Sequence, residues 1–208
     1  MDISCIVLAG GRALRLGRNK LLVDIGGKSL IQRVIDALIF FQSDIIVVTG
    51  RHQFLPEVAC CPGTKIVPDL YPDAGPLGGV YTGITAADSF YNLVVASDMP
   101  FLSRPLLAHM LKNVPGFDVV VPRLGENRLE PLHAVYSKGC LPYIRHHLET
   151  GDRNIISFFP DVRVRYLERA EIDRFDPEHL SFFNINTEAD LTMARELVKT
   201  VGQNDPNP

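Results

Sequence analysis

The chain has 208 residues, 46% of them apolar and 22% charged, with a formal net charge of −3 at neutral pH. That length supports one good core or two small ones, the composition is that of an ordinary globular protein, and the charge gives no electrostatic footprint for nucleic acid or membrane. No apolar run approaches a membrane span, and Cys5, Cys60, Cys61 and Cys140 have neither metal-ligand nor disulfide-framework spacing, so reduced thiols in a cytoplasmic protein are expected.

The first element is a buried strand. Ile3, Cys5, Ile6, Val7 and Leu8 make an apolar run that opens almost at Met1, where a secretory leader is therefore not expected. The strand empties into Leu8-Ala9-Gly10-Gly11-Arg12-Ala13-Leu14-Arg15-Leu16-Gly17-Arg18-Asn19-Lys20. Its paired glycines let the backbone approach a ligand with no Cβ in the way. Arginines and a lysine follow, and a glycine-rich cationic turn after a buried strand presents N–H groups and point charges to phosphates. No Gly-Lys-Ser/Thr closes the loop and no G-x-G-x-x-G opens it, so it is neither a P-loop nor a dinucleotide fingerprint. A tight surface turn with solvated charges is the alternative.

Beyond it, Leu30, Val34, Leu38 and Phe41 recur at helical spacing within 29–41. Strands are predicted over Asp44 to Thr49 and Lys65 to Pro68, both short, β-branched and bounded by turn residues. Asp69 ends the third strand and is followed by the turn-rich Pro72-Asp73-Ala74-Gly75-Pro76-Leu77-Gly78-Gly79, which feeds a helix over 78–88. A helix start so bare of side chains can cradle an anion, lie flat against a base, or simply be a tight connection.

A strand over Asn92 to Ser97 delivers Asp98, where a carboxylate can hold Mg²⁺ with phosphates and water supplying the other bonds, or can cap a helix. Ser103 is already the cap candidate for the next helix, Arg104 to Asn113, with Pro105 in its first turn. Further strands are read over Asp118 to Pro122, over Glu130 to Tyr136 with Pro131 limiting its pairing, and over Val162 to Leu167. Asn184-Ile185-Asn186-Thr187 brings two amides, which can bind or merely turn the chain, ahead of a last helix that Thr187 would cap. The alternation of strands and helices predicts a three-layer α/β domain with a mostly parallel sheet, its ligand at the carboxyl ends of the strands. One domain over 1–201 and a disordered tail over 202–208 complete the expectation.

Taken together, the motifs resemble the molybdenum cofactor guanylyltransferases, within the nucleotidyltransferase superfamily of sugar-nucleotide and cytidylyl enzymes. L-A-G-G-x-x-x-R-x-G-x-x-K, G-P-L-G-G, S-D-M-P-F-L, E-P-L-H-A-V-Y and F-N-I-N-T-E-A-D-L occur in the family's order from Leu8 to Leu191. The resemblance implies a Rossmann-like nucleotidyltransferase fold that transfers GMP from GTP to the terminal phosphate of molybdopterin, with Mg²⁺ as cofactor and pyrophosphate as by-product. It implies that Leu8, Ala9, Gly10 and Gly11 meet the nucleotide, with Gly78 in the second glycine segment. Arg15 and Lys20 would face its phosphates, Asp69 would contact it, and Asp98 would hold the metal. Asn184 and Asn186 would lie on the pterin side or near the metal. Val48 departs from the pattern, since some members carry Asn there. The rival expectations are a cytidylyltransferase and a nucleotide-binding regulatory protein without turnover. The attacking phosphate is already ionised at neutral pH, so no general base is required, and His133 is expected to be a hydrogen-bonded core or lining residue.

Overall fold

The computed structural model describes residues 2–10, 20–50, 58, 61 and 63–201, the last two by backbone alone. In chain order the elements are β1 (Ile3–Leu8), α1 (Leu30–Ile39), β2 (Asp44–Thr49), β3 (Thr64–Pro68), α2 (Pro76–Ala86), β4 (Tyr91–Ala96), α3 (Arg104–Lys112), β5 (Val119–Gly125), β6 (Arg128–Leu129), β7 (His133–Ser137), α4 (Leu141–Thr150), β8 (Val164–Glu168), α5 (Arg169–Ile172) and α6 (Glu188–Val201). The strands form one eight-stranded sheet in the order β3-β2-β1-β4-β7-β5-β6, with β8 beside β5.

The run β3-β2-β1-β4 is parallel, as is the pair β5–β8, whereas β7 is antiparallel to both β4 and β5. The sheet is thus largely parallel, with one reversed strand between its two parallel parts. The reversal follows from a short connection: β6 returns from β5 through a tight turn, and β7 follows it without a helix, so no crossover can restore the direction. Pro131 stays out of the ladder, because β7 begins two residues later at His133.

Alternation along β1 sends Cys5 and Val7 to one face and Ile6 and Leu8 to the other. The first face packs under α1 and α3 through Val34, Leu38, Leu106 and Met110. The second packs under α2 and α4 through Val80, Ile84 and Ile144. These are the two outer layers around the sheet. A third, small core joins Val23, Ile25 and Leu30 to Ile185, Leu191 and Ala194, and so docks α6 against the segment that follows Lys20.

Ser103 caps α3 as the sequence predicts, accepting from Leu106 N, and Ser29 does the same for α1, accepting from Gln32 N. At α6, Thr187 Oγ1 accepts from Asp190 N at 3.1 Å while the Asp190 carboxylate accepts from Thr187 N and Asn186 N at 2.8 and 2.9 Å, a reciprocal capping box. Helix α4 has no counterpart in the sequence reading. It buries Ile144 and its surface is polar, so its apolar period is weak, although Pro142 in the first turn and Gly151 in the left-handed conformation at the end were legible signals. The predicted tail, 202–208, lies outside the described residues.

Candidate active site

A cleft of about 130 Å³ opens at the carboxyl edge of the parallel strands, bounded by Leu8, Gly10, Val48, Asp69, Ala96 and Asp98, with Gly75, Pro76 and Gly79 of α2 on one side and Leu132 on another. The strand ends are pinned there. Ala9 N donates to Val48 O at 2.8 Å and Ser97 N donates to Leu8 O at 3.1 Å, after which Gly10 leaves the sheet. A Cβ on Gly10 would lie 3.5 Å from Gly50 N, an ordinary contact, so the described backbone tolerates one. Val48 is buried and offers the cleft an apolar wall.

Helix α2 starts at Gly75, whose φ of +65° suits glycine and whose lack of a side chain leaves the first N–H groups of the helix without a side-chain cap. Uncapped N–H groups and the positive end of the helix dipole favour an anion. Gly79 lets the helix lie on Leu8, where a Cβ would come within 3.3 Å of Cδ2. Gly78 faces Tyr71, whose carbonyl oxygen would be 2.5 Å from a Cβ, and it is not among the residues lining the cleft.

Asp69 is 8% exposed and held firmly: its Oδ1 accepts from Tyr71 N and from Thr82 Oγ1, each at 2.9 Å. Its other oxygen has no protein partner among the described residues. Thr82, which fixes that rotamer from within α2, is a supporting residue the sequence reading missed.

The central cluster joins three distant parts of the chain. Lys20 Nζ donates to Asp98 Oδ2 at 3.1 Å and to Asn186 Oδ1 at 3.0 Å. Lys20 is placed by a 3₁₀ turn whose next residue, Leu21, is buried in the core. Asp98 follows β4, and its carbonyl accepts from Ile185 N at 3.0 Å, which ties the Asn184–Asn186 segment to the metal-candidate carboxylate. Asn186 is held by Asp190, whose carboxyl is kept below the usual range chiefly by the Asn186 N–H bond. Asn184 behaves differently: its Nδ2 donates to Phe182 O at 3.2 Å, and it takes no part in the Lys20 cluster. Gly11 and Arg15 lie outside the described residues.

His133 corrects an expectation. It is fully buried, and both ring nitrogens lack a hydrogen-bond partner among the described residues. Its ring meets Phe182 edge-on at 4.9 Å, and burial pushes its pKa down to about 3. It therefore stays neutral and walled off from the cleft at physiological pH. The site's chemistry lies in charge: a carboxylate and an amide oxygen converge on one cation, beside uncapped N–H groups. Two hard oxygen donors suit a small divalent cation.

The MobA-like NTP transferase domain family matches residues 5–166. A Pelotomaculum thermopropionicum protein named probable molybdenum cofactor guanylyltransferase is 37% identical over 194 residues, covering 93% of this chain and 92% of that protein. The molybdenum cofactor guanylyltransferase of Desulfosudis oleivorans is 32% identical, with 95% and 96% of the two chains covered. Among solved structures, molybdopterin-guanine dinucleotide biosynthesis protein A from Archaeoglobus fulgidus superposes with a TM-score of 0.81 at 28% identity, over 95% of this chain and 99% of that one. The 4-diphosphocytidyl-2C-methyl-D-erythritol synthase of Anaerococcus prevotii reaches 0.70 at 16% identity over 95% of this chain and 96% of that one, a likeness of fold alone.

Proposed function

The chain belongs to the MobA-like NTP transferase family, and from that premise we propose that it transfers GMP from GTP to the terminal phosphate of molybdopterin, releasing pyrophosphate. It is a nucleotidyltransferase. The observation that carries the mechanism is the convergence of Asp98 Oδ2, whose residue lines the cleft, and Asn186 Oδ1 on one cation, the Lys20 ammonium.

The nucleotide would lie across Leu8, Ala9, Gly10 and Gly11, with Asp69 and the start of α2 on its far side. Gly78 would contribute by keeping the Tyr71 turn tight against that helix. Asp98 and Asn186 would hold Mg²⁺, which neutralises charge on the transferring phosphoryl group when bound. Lys20, released from those two oxygens, would turn to the phosphates together with Arg15. Asn184, outside the cluster, is left for the acceptor. The acceptor phosphate attacks in its ionised form, so positioning and charge neutralisation suffice, consistent with a neutral, buried His133. We place the reaction in the cytoplasm, on a single unit over 1–201. Cys5 and Cys140 are free thiols, and no helix among the described residues is long and apolar enough to cross a membrane.

The test is pyrophosphate release from GTP, CTP and ATP, each with and without molybdopterin. Release from GTP only in the presence of molybdopterin is expected. Preference for CTP would make the chain a cytidylyltransferase, and binding without release would make it a regulatory protein.

A further inference from the structure

A second cavity, of about 480 Å³, lies beside the carboxyl end of β5. Its volume falls within the roughly 300–1,000 Å³ of small-molecule sites, whereas the nucleotide-side cleft, as the described residues bound it, does not. The two are neighbours. Pro131 lines the larger cavity and the next residue, Leu132, lines the cleft, where its carbonyl accepts from Ala96 N at 2.9 Å.

The walls of this cavity suit a flat, polar-edged ring. Leu129 and Ile155 give it an apolar floor. The Arg123 guanidinium lies 4.7 Å above the Tyr166 ring and is paired with Glu168, so its plane is fixed. A fixed guanidinium plane is a stacking platform for a heterocycle. On the β5–β6 turn, Glu126 and Asn127 line the same cavity, both exposed and with no partner for either side chain among the described residues. A carboxylate accepts two parallel N–H bonds, and an amide supplies a donor beside it. The 2-amino-4-oxo edge of a pterin presents neighbouring N–H donors followed by a carbonyl acceptor, which matches that pair.

We propose that this cavity binds the pterin ring of the acceptor, with Glu126 accepting from its 2-amino edge, Asn127 donating to its 4-oxo group and Arg123 stacking on its face. The proposal rests on the molybdopterin reading above and deepens it, moving the ring away from Asn184 and Asn186 to the β5–β6 hairpin.

The chain contains no tryptophan, so Tyr166→Trp places a single reporter in the cavity wall. Free 6-hydroxymethylpterin should quench its emission saturably, and adding Glu126→Gln should weaken that binding by about tenfold or more. Asp98→Asn should leave it unchanged. Absent or non-saturable quenching overturns the proposal. This readout needs no turnover, so it separates failure of the cavity assignment from failure of the guanylyltransferase reading. In an otherwise unaltered chain, Glu126→Gln should raise the KM for molybdopterin by about tenfold, with the change carried by KM and not by kcat. An unchanged acceptor KM also overturns the assignment.

Discussion

Two aspartates at opposite edges of one sheet differ in their partners and not in their burial. Asp118 precedes β5 at the amino edge, and Asp98 follows β4 at the carboxyl edge. Their side chains are nearly equally covered, 19% and 25% exposed, so burial does not distinguish them. Partners do. Asp118 accepts from the Arg163 backbone N–H, the Arg163 guanidinium and Ser137 Oγ. Burial alone would push its pKa up, but those bonds outweigh it and hold the carboxyl below the usual range. Asp98 has one side-chain partner among the described residues, a lysine that a ligand can draw away. A saturated carboxylate fixes the fold, and an unsaturated one keeps acceptor capacity open to a ligand.

That contrast breaks most visibly at Asp98. Asp98→Asn should lower kcat by about 100-fold or more, since uncompensated phosphate charge in the transition state costs several kcal/mol, while thermal unfolding stays near that of the parent protein. Parent-level turnover at ordinary Mg²⁺ would end the metal assignment. Lys20→Ala comes next. Loss of a charged phosphate contact of roughly 1.5–3 kcal/mol should cost about ten- to a hundredfold in kcat/KM. Lys28→Ala, whose side chain is 56% exposed and paired with Asp36, should change it by less than about twofold. Equal effects in the two lysine variants would reduce Lys20 to surface charge.

His133 sharpens the comparison from within the core. Its folded pKa of about 3 lies below the ordinary 6.5, so above pH 6.5 neither state gains a proton and the residue is silent. As the pH falls below 6.5 the unfolded chain takes up a proton that the folded chain refuses, and stability drops by about 1.4 kcal/mol per pH unit until the folded pKa is reached. At pH 4.5 the loss relative to pH 7 is about 2–3 kcal/mol. Urea unfolding of His133→Leu at both pH values should show that part of the difference gone. An unaltered acid slope would mean that the imidazole is not sealed off.

Asp118→Asn should cost only about 1 kcal/mol of stability, because Arg163 is 68% exposed, with kcat/KM unchanged. The sign here is the reverse of a group that is silent at neutral pH. The Asp118 contribution is fully present above the ordinary carboxylate pKa of 3.8 and fades only as the pH falls through its lowered value. Its stability deficit should therefore stay constant between pH 7 and 4.5 in the same unfolding series, while the difference at His133 grows.

Much of this could be read from residues alone. Ile3 to Leu8, Asp44 to Thr49 and Asn92 to Ser97 announce strands covered on both faces because consecutive apolar residues have nowhere else to go. Ser103 and Thr187 mark helix starts because a side-chain oxygen there satisfies an N–H that the helix cannot. Local physics of this kind leaves its mark in neighbouring residues. Helix α4 escaped because Ile144 is its one fully buried residue, too little for a period. The reversed direction of β7 escaped because strand periodicity carries no sense of direction.

The sequence by itself determined most of the elements and the glycine-bearing strand end, since each depends on residue type and close neighbours, and the family resemblance singled out Lys20, Asp98 and the asparagines as candidates. Only the tertiary structure brings Asn186, and not Asn184, to the Lys20 ammonium. Lys20 reaches Asp98 and Asn186 across 78 and 166 positions of chain, distances closed by the β1–β4 pairing and by the small core that docks α6. The same holds for Glu126, which shares a cavity with Tyr166 because β5 pairs with both β6 and β8. Contacts between distant segments are set by which faces bury together, and burial is a property of the assembled chain.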